Sequence, residues 1–232
     1  MLPCVGAALG WGALAASSLV IGALLGVARP WPNTLVGAVL AFGAGALISA
    51  VSFDLVEEGS QLGDPGAVGI GLAAGALTYF GLDRVIDRPG SSSGGGALAL
   101  GAFLDGIPEQ MVLGIGLAAG EGVGVGLLVA IFVSNLPEAI GSATDMRAAG
   151  RSKGSIRLLW IAVAVICTLA TVGGWAIADT ASDNLKAIVD GFAAGALLVM
   201  LIDSMIPEAT EKFGRKAGLV TVLGFAVAFS LS

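Results

Sequence analysis

Residues 122–144 read GVGVGLLVAIFVSNLPEAIGSAT, an apolar run broken by one charge, Glu138. At 1.5 Å per residue a helix of this length reaches about 34 Å, enough to cross a hydrocarbon core of about 30 Å. The rule that places this crossing places seven more, near residues 3–27, 34–56, 66–82, 97–119, 158–178, 186–207 and 216–231. The expected fold is therefore all-α, a polytopic membrane protein of eight transmembrane helices forming one transport-sized domain over residues 1–232. Composition agrees with this. Charged residues make up 12% of the chain, about half of what a soluble domain carries, and they cluster between the apolar runs. Connections are short, and only Pro89 to Gly96 has the Gly/Ser-rich composition of a flexible linker. Met1-Leu2-Pro3 lacks a basic n-region, so the first run reads as a spanning helix and not as a cleaved leader.

Ten of the eleven Lys and Arg residues lie in the loops after helices 1, 3, 5 and 7, and only Lys186 lies on the other side. Positive charge is retained in the cytoplasm, so both termini are expected to be extracytoplasmic in a plasma or inner membrane. Phe42-Gly43-Ala44-Gly45-Ala46-Leu47 in helix 2 matches Phe192-Ala193-Ala194-Gly195-Ala196-Leu197 in helix 7 at an offset of 150, which also pairs Glu58 with Glu208. Five crossings separate the two helices, so they run in opposite directions. The pattern suggests a 3+2+3 arrangement in which helices 1–3 and 6–8 form an inverted repeat, with a site near the midplane where such halves meet.

Two motifs carry chemistry. Helix 4 contains Leu104-Asp105-Gly106-Ile107-Pro108-Glu109 and helix 5 contains Val133-Ser134-Asn135-Leu136-Pro137-Glu138. Residues four apart share a helix face, so Asp105 with Glu109 and Ser134 with Glu138 each form a vertical pair of oxygen ligands, and Asn135 adds an amide. Pro108 and Pro137 lack an N–H, which frees the carbonyls of Leu104 and Val133 and is expected to kink both helices. An ionised carboxylate at the bilayer centre costs on the order of 3 kcal/mol, and helices 4 and 5 hold no Lys, Arg or His to offset it. A bound divalent cation would do so, as would protonation. Asp54 and Glu58 near the outer end of helix 2, and Asp145, Asp203 and Glu208 on the inner side, mark a candidate cation pathway, because acids at a pore mouth raise the local cation concentration.

These motifs resemble those of the ZIP (Zrt/Irt-like) metal transporters, which carry His-Asn-x-Pro-Glu-Gly on helix 4 and His-Glu-x-Pro-Glu-Gly or a variant on helix 5. The resemblance covers nearly the whole chain, including the termini and the Phe-x-Ala-Gly-Ala-like segments of helices 2 and 7. It implies uptake of a divalent metal of the zinc, iron or manganese class toward the cytoplasm, with the metal as substrate and no cofactor, and it admits a homodimer in the lipid bilayer. The Pro-Glu cores match outright. Asp105, Gly106 and Gln110 replace the family's His, Asn and Gly on helix 4, and Ser134, Asn135 and Ala139 depart from it on helix 5. With no histidine in the chain, the donors are oxygens, suited to harder ions such as Mn²⁺, Mg²⁺ or Ca²⁺, although Zn²⁺ also accepts carboxylates. Residues 158–178 hold no acid, so one principal metal is expected and not a pair, and Ser91 to Gly96 stands where many relatives have a His-rich loop.

Other classes fit less well. A cation or proton channel, or a proton-coupled transporter of another substrate, could use the same acids. An intramembrane aspartyl protease would need a second matched aspartate to partner Asp105. A packing scaffold would explain the glycines but not the buried acids. A net charge of −6 argues against nucleic acid as a partner, and no enzyme activity is expected. Cys4 and Cys167 have no ligand-like spacing and read as small buried residues.

Overall fold

The computed structural model describes residues 5–29, 31–86, 95–119, 125–178 and 180–231, with the backbone alone at 85–86, 95–105, 119, 125, 134, 137 and 145. The expected linker from Pro89 and the Cys4 position lie outside the described residues. Helices α1 (Val5–Ala28), α2 (Asn33–Leu62), α3 (Pro65–Ile86), α4 (Gly95–Ala119), α5 (Val125–Ala148) and α6 (Lys153–Ala178) are followed by α7, spanning 183–213, and α8 (Ala217–Phe229). Among the described residues there is no strand. Six stretches of them are long and apolar enough to cross a membrane, the last of which, Asp183–Phe229, contains both α7 and α8.

Several helices run further than the apolar runs do. α6 starts at Lys153 instead of 158, α5 continues to Ala148 instead of 144, and α2 and α7 extend to Leu62 and Phe213. The apolar run marks where lipid ends, not where backbone hydrogen bonding ends, and long basic side chains such as Lys153 and Arg157 carry their charge to the interface on an apolar stem. Ends are set by local chemistry. The Ser182 hydroxyl accepts from the Leu185 N–H to start α7, Ser152 does the same for Ser155 at α6, and Asp64 accepts from Gly66 at the start of α3. Gly150 and Gly214 adopt positive φ where α5 and α7 stop, a conformation that favours glycine.

The helices form two groups. α1, α4, α5 and α6 pack on one another, chiefly as α4 on α6 and α1 on α5 and α6; α2, α3, α7 and α8 pack chiefly as α3 on α7 and α2 on α8. The groups meet along α2 with α5 and α4 with α7. Glycine sets the close approaches inside each group, since without a side chain two backbones can touch. A methyl on Gly45 of α2 would overlap the carbonyl oxygen of Thr221 in α8, and a methyl on Gly195 of α7 would overlap that of Leu72 in α3. The two glycines are 150 residues apart.

The same offset recurs in a feature that composition does not announce. α2 contains a π-helical turn at Val51–Glu57 and α7 one at Leu201–Met205, beginning 150 residues apart. Such turns insert an extra residue into the helical ladder and are frequent at functional sites.

Candidate functional site

The middle of α4 and α5 lies where the two helix groups meet. α4 continues as a helix through Pro108 and α5 through position 137. Glu109 is buried to 1% exposure on α4 and Asn135 to 3% on α5. Glu138 is half-buried one turn beyond Asn135. These three come together. The Glu109 carboxylate lies within electrostatic range of Glu138 and is faced by the side-chain amide of Asn135, yet neither Glu109 oxygen makes a hydrogen bond of standard geometry, nor does the Asn135 amide nitrogen.

A buried carboxylate with two unmatched oxygens needs an explanation. Asn135 is a neutral neighbour, and no described Lys or Arg is bonded to the carboxylate. The chemistry of this arrangement is that of a cation seat: two carboxylates and an amide that can present its oxygen by a half-turn. Among the described residues no group of three or more His, Cys, Asp or Glu side chains comes together, so these residues alone supply a partial oxygen shell. The side chains of Asp105 and Ser134, expected one turn from Glu109 and Glu138, lie outside the described ones, as does that of Asp145.

Gln110 beside Glu109 faces the other way. Its amide oxygen accepts from the Thr171 hydroxyl of α6 at 2.5 Å, with both residues at 0% exposure. This bond ties α4 to α6 next to the carboxylate. Sequence reasoning noted Gln110 only as a departure from the family pattern and passed over Thr171.

Below Glu138 on α5, Gly141 opens a space that Glu208 of α7 enters. A methyl on Gly141 would lie 3.6 Å from the Glu208 Oε1 and 3.7 Å from the Lys212 Nζ. Lys212 donates to Glu208 at 2.5 Å, an i,i+4 ion pair, and Glu138 lies within electrostatic range of Glu208. Asp203, expected on the same path, is exposed on α7.

At the opposite end of α2, Asp54 and Glu58 are half-buried and Glu57 is exposed. With Phe53, Gln61 and Phe229 they line a cavity of about 580 Å³. Asp190 of α7 packs nearby against Gly59 and is 4% exposed. It was missed, although an acid inside an apolar helix is itself the signal. Cys167 is buried, as expected of a small apolar residue.

The sequence profile of a family described as ZIP zinc transporter matches residues 91–232, the part of the chain that contains α4 to α8. A candidate zinc transporter of Arabidopsis thaliana is 31% identical over 181 residues, which cover 73% of this chain and 29% of that protein. The chain thus spans less than a third of the length of the curated relative it matches.

Proposed function

Because this chain belongs to the ZIP zinc transporter family, we propose that it carries a divalent metal cation across the plasma membrane toward the cytoplasm, through a midplane site on α4 and α5. Glu109, Glu138 and Asn135 hold the ion. Asp105 and Ser134 add oxygens from one turn away on the same helix faces. The observation that carries this reading is the Glu109 carboxylate, 1% exposed, with no hydrogen bond of standard geometry to either oxygen and only the neutral Asn135 amide facing it, opposite a second carboxylate. A divalent ion balances both charges at once, whereas a neutral neighbour balances neither.

The pathway enters at the Asp54 and Glu58 cavity and leaves by Asp145 and Glu208, with Asp203 at the inner rim. Both termini are extracytoplasmic in this scheme, in keeping with the distribution of Lys and Arg. The eight helices follow a 3+2+3 plan in which helices 1–3 and 6–8 are inverted copies. Supporting this are the π turns at a 150-residue offset, the matching Gly45 and Gly195 contacts, and the correspondence of the α2–α8 pair with the α7–α3 pair. The cargo is of the zinc, iron or manganese class. The all-oxygen donors favour Mn²⁺ over what a histidine site would select, and the relative's name points to zinc.

Uptake into proteoliposomes across Zn²⁺, Mn²⁺, Fe²⁺ and Mg²⁺ tests this, comparing the native chain with Glu109→Gln and Glu138→Gln. Saturable uptake by the native chain that is lost in Glu109→Gln is the expected result. Equal uptake by all three removes the site from the mechanism, and proton flux without metal uptake assigns the acids to a proton path.

A further inference from the structure

Lys212 does not sit on the surface of the bundle as an interfacial lysine would. Its stem packs against Gly37 of α2, where a methyl would come within 2.7 Å of the Lys212 Cβ and 2.9 Å of the Phe213 backbone nitrogen. Its ammonium rests over Gly141 of α5 while bonded to Glu208. Its side chain is 21% exposed and that of Glu208 is 40% exposed. Three helices from both groups therefore fix a single ammonium about one turn past Glu138, on the inward side of the proposed metal seat.

We infer that Lys212 is a tethered cation that holds the exit-side carboxylate Glu208 and is displaced by each departing metal ion. The inference rests on the metal-transport reading and adds a device to it. Charge accounting gives the reason. Glu138 and Glu208 together carry two negative charges, which would match a divalent ion completely and turn the exit into a resting place. With Lys212 present the trio carries one. An arriving metal can displace the ammonium, because lysine's donors turn freely on a flexible four-carbon stem. The ammonium then returns to the same oxygen and competes the metal off. Release thus needs no third ligand and no change in protonation.

The test is Zn²⁺ and Mn²⁺ uptake kinetics in proteoliposomes for the native chain, Lys212→Gln, Glu208→Gln and the double variant, each confirmed monodisperse in detergent. Removing the ammonium should lower KM and maximal rate together, each about three- to fivefold, the range of a partly exposed ion pair. Glu208→Gln should not lower KM, and adding it to Lys212→Gln should return KM toward the native value. A merely structural lysine would reduce the amount of folded protein and leave KM alone. Native uptake with an unchanged KM in Lys212→Gln overturns this inference and leaves metal transport standing. No metal uptake by the native chain overturns both.

Discussion

Two glutamates flanking Glu138 are treated in opposite ways. Glu109, in the middle of α4, is buried and faces only the neutral amide of Asn135, with no hydrogen bond of standard geometry, whereas Glu208, near the end of α7, has an ammonium at 2.5 Å. Both could have been paired, since lysine is available to any helix. On the function proposed above, the bundle keeps one cation position open at its centre and fills the next one from its own chain. A carboxylate left open in a low-dielectric interior lowers stability, and its retention is understood if an ion supplied from outside completes it.

The strongest way to break the comparison is to neutralise its open member. Glu109→Gln should reduce metal uptake about 100-fold or more, since losing even an outer-shell partner of a metal ligand costs 10–100-fold in affinity. In metal-free detergent the same variant should melt no lower than the native chain, because an amide is cheaper to bury than an unpaired carboxylate. A drop in melting temperature without metal would mean that Glu109 is a structural acid. Glu138→Gln should be milder in uptake, because that side chain is half-buried and shares its field with Glu208.

The contrast between open and filled positions depends on a scaffold that does not relax around it. Gly45→Ala and Gly195→Ala each force a methyl into a backbone carbonyl, and each should cost about 1–3 kcal/mol, read as lower thermal stability in detergent. Similar costs for the two substitutions, 150 residues apart, would support the inverted-copy plan. A large cost for one and none for the other would break it. Gly116→Ala, with nothing near the new methyl, should change stability by less than about 0.5 kcal/mol.

Much of this could be read in the chain because it rests on contrasts between neighbouring residues. Glu109 and Glu138 stand out as acids inside apolar runs, and Pro108 and Pro137 place them by helical spacing. The Thr171 to Gln110 bond could not be read. A threonine in an apolar helix commonly turns its hydroxyl back to its own i−4 carbonyl, as Thr144 and Thr168 do here; Thr171 also reaches the Cys167 carbonyl at 3.5 Å, but its short bond goes to Gln110, a partner that only the depth of α4 against α6 supplies. The π turns were equally hidden, since an extra residue in the ladder answers to tertiary packing and not to any residue type. Glu208 and Lys212 have the spacing of an i,i+4 pair, but sequence gives no sign that Gly141 and Gly37 would admit them to the bundle.

That hidden bond offers a smaller effect. Thr171→Val keeps the volume and removes the donor, leaving the Gln110 oxygen buried without a partner, at a cost of about 1–2 kcal/mol. If the bond orients α4 so that Glu109 faces Asn135, KM for the metal should rise while Thr171→Ser restores it. An unchanged KM with lower stability would reduce the pair to packing.

The smallest expected effect sharpens the comparison most, because it separates space from charge. A methyl at Gly141 meets Glu208 and Lys212 only at ordinary van der Waals distance, whereas one at Gly37 collides with the Lys212 Cβ and the Phe213 backbone nitrogen and would move α7 itself. Gly141→Ala should therefore leave uptake within about twofold of native, inside the ±0.5 kcal/mol of a substitution that disturbs no partner. If it instead matched Lys212→Gln, the exit would be governed by how closely α5 and α7 approach, and the ammonium would be a passenger. If Lys212→Gln shifts KM and Gly141→Ala does not, the charge at the exit is what matters, and the glycine on α5 is there to make room for it.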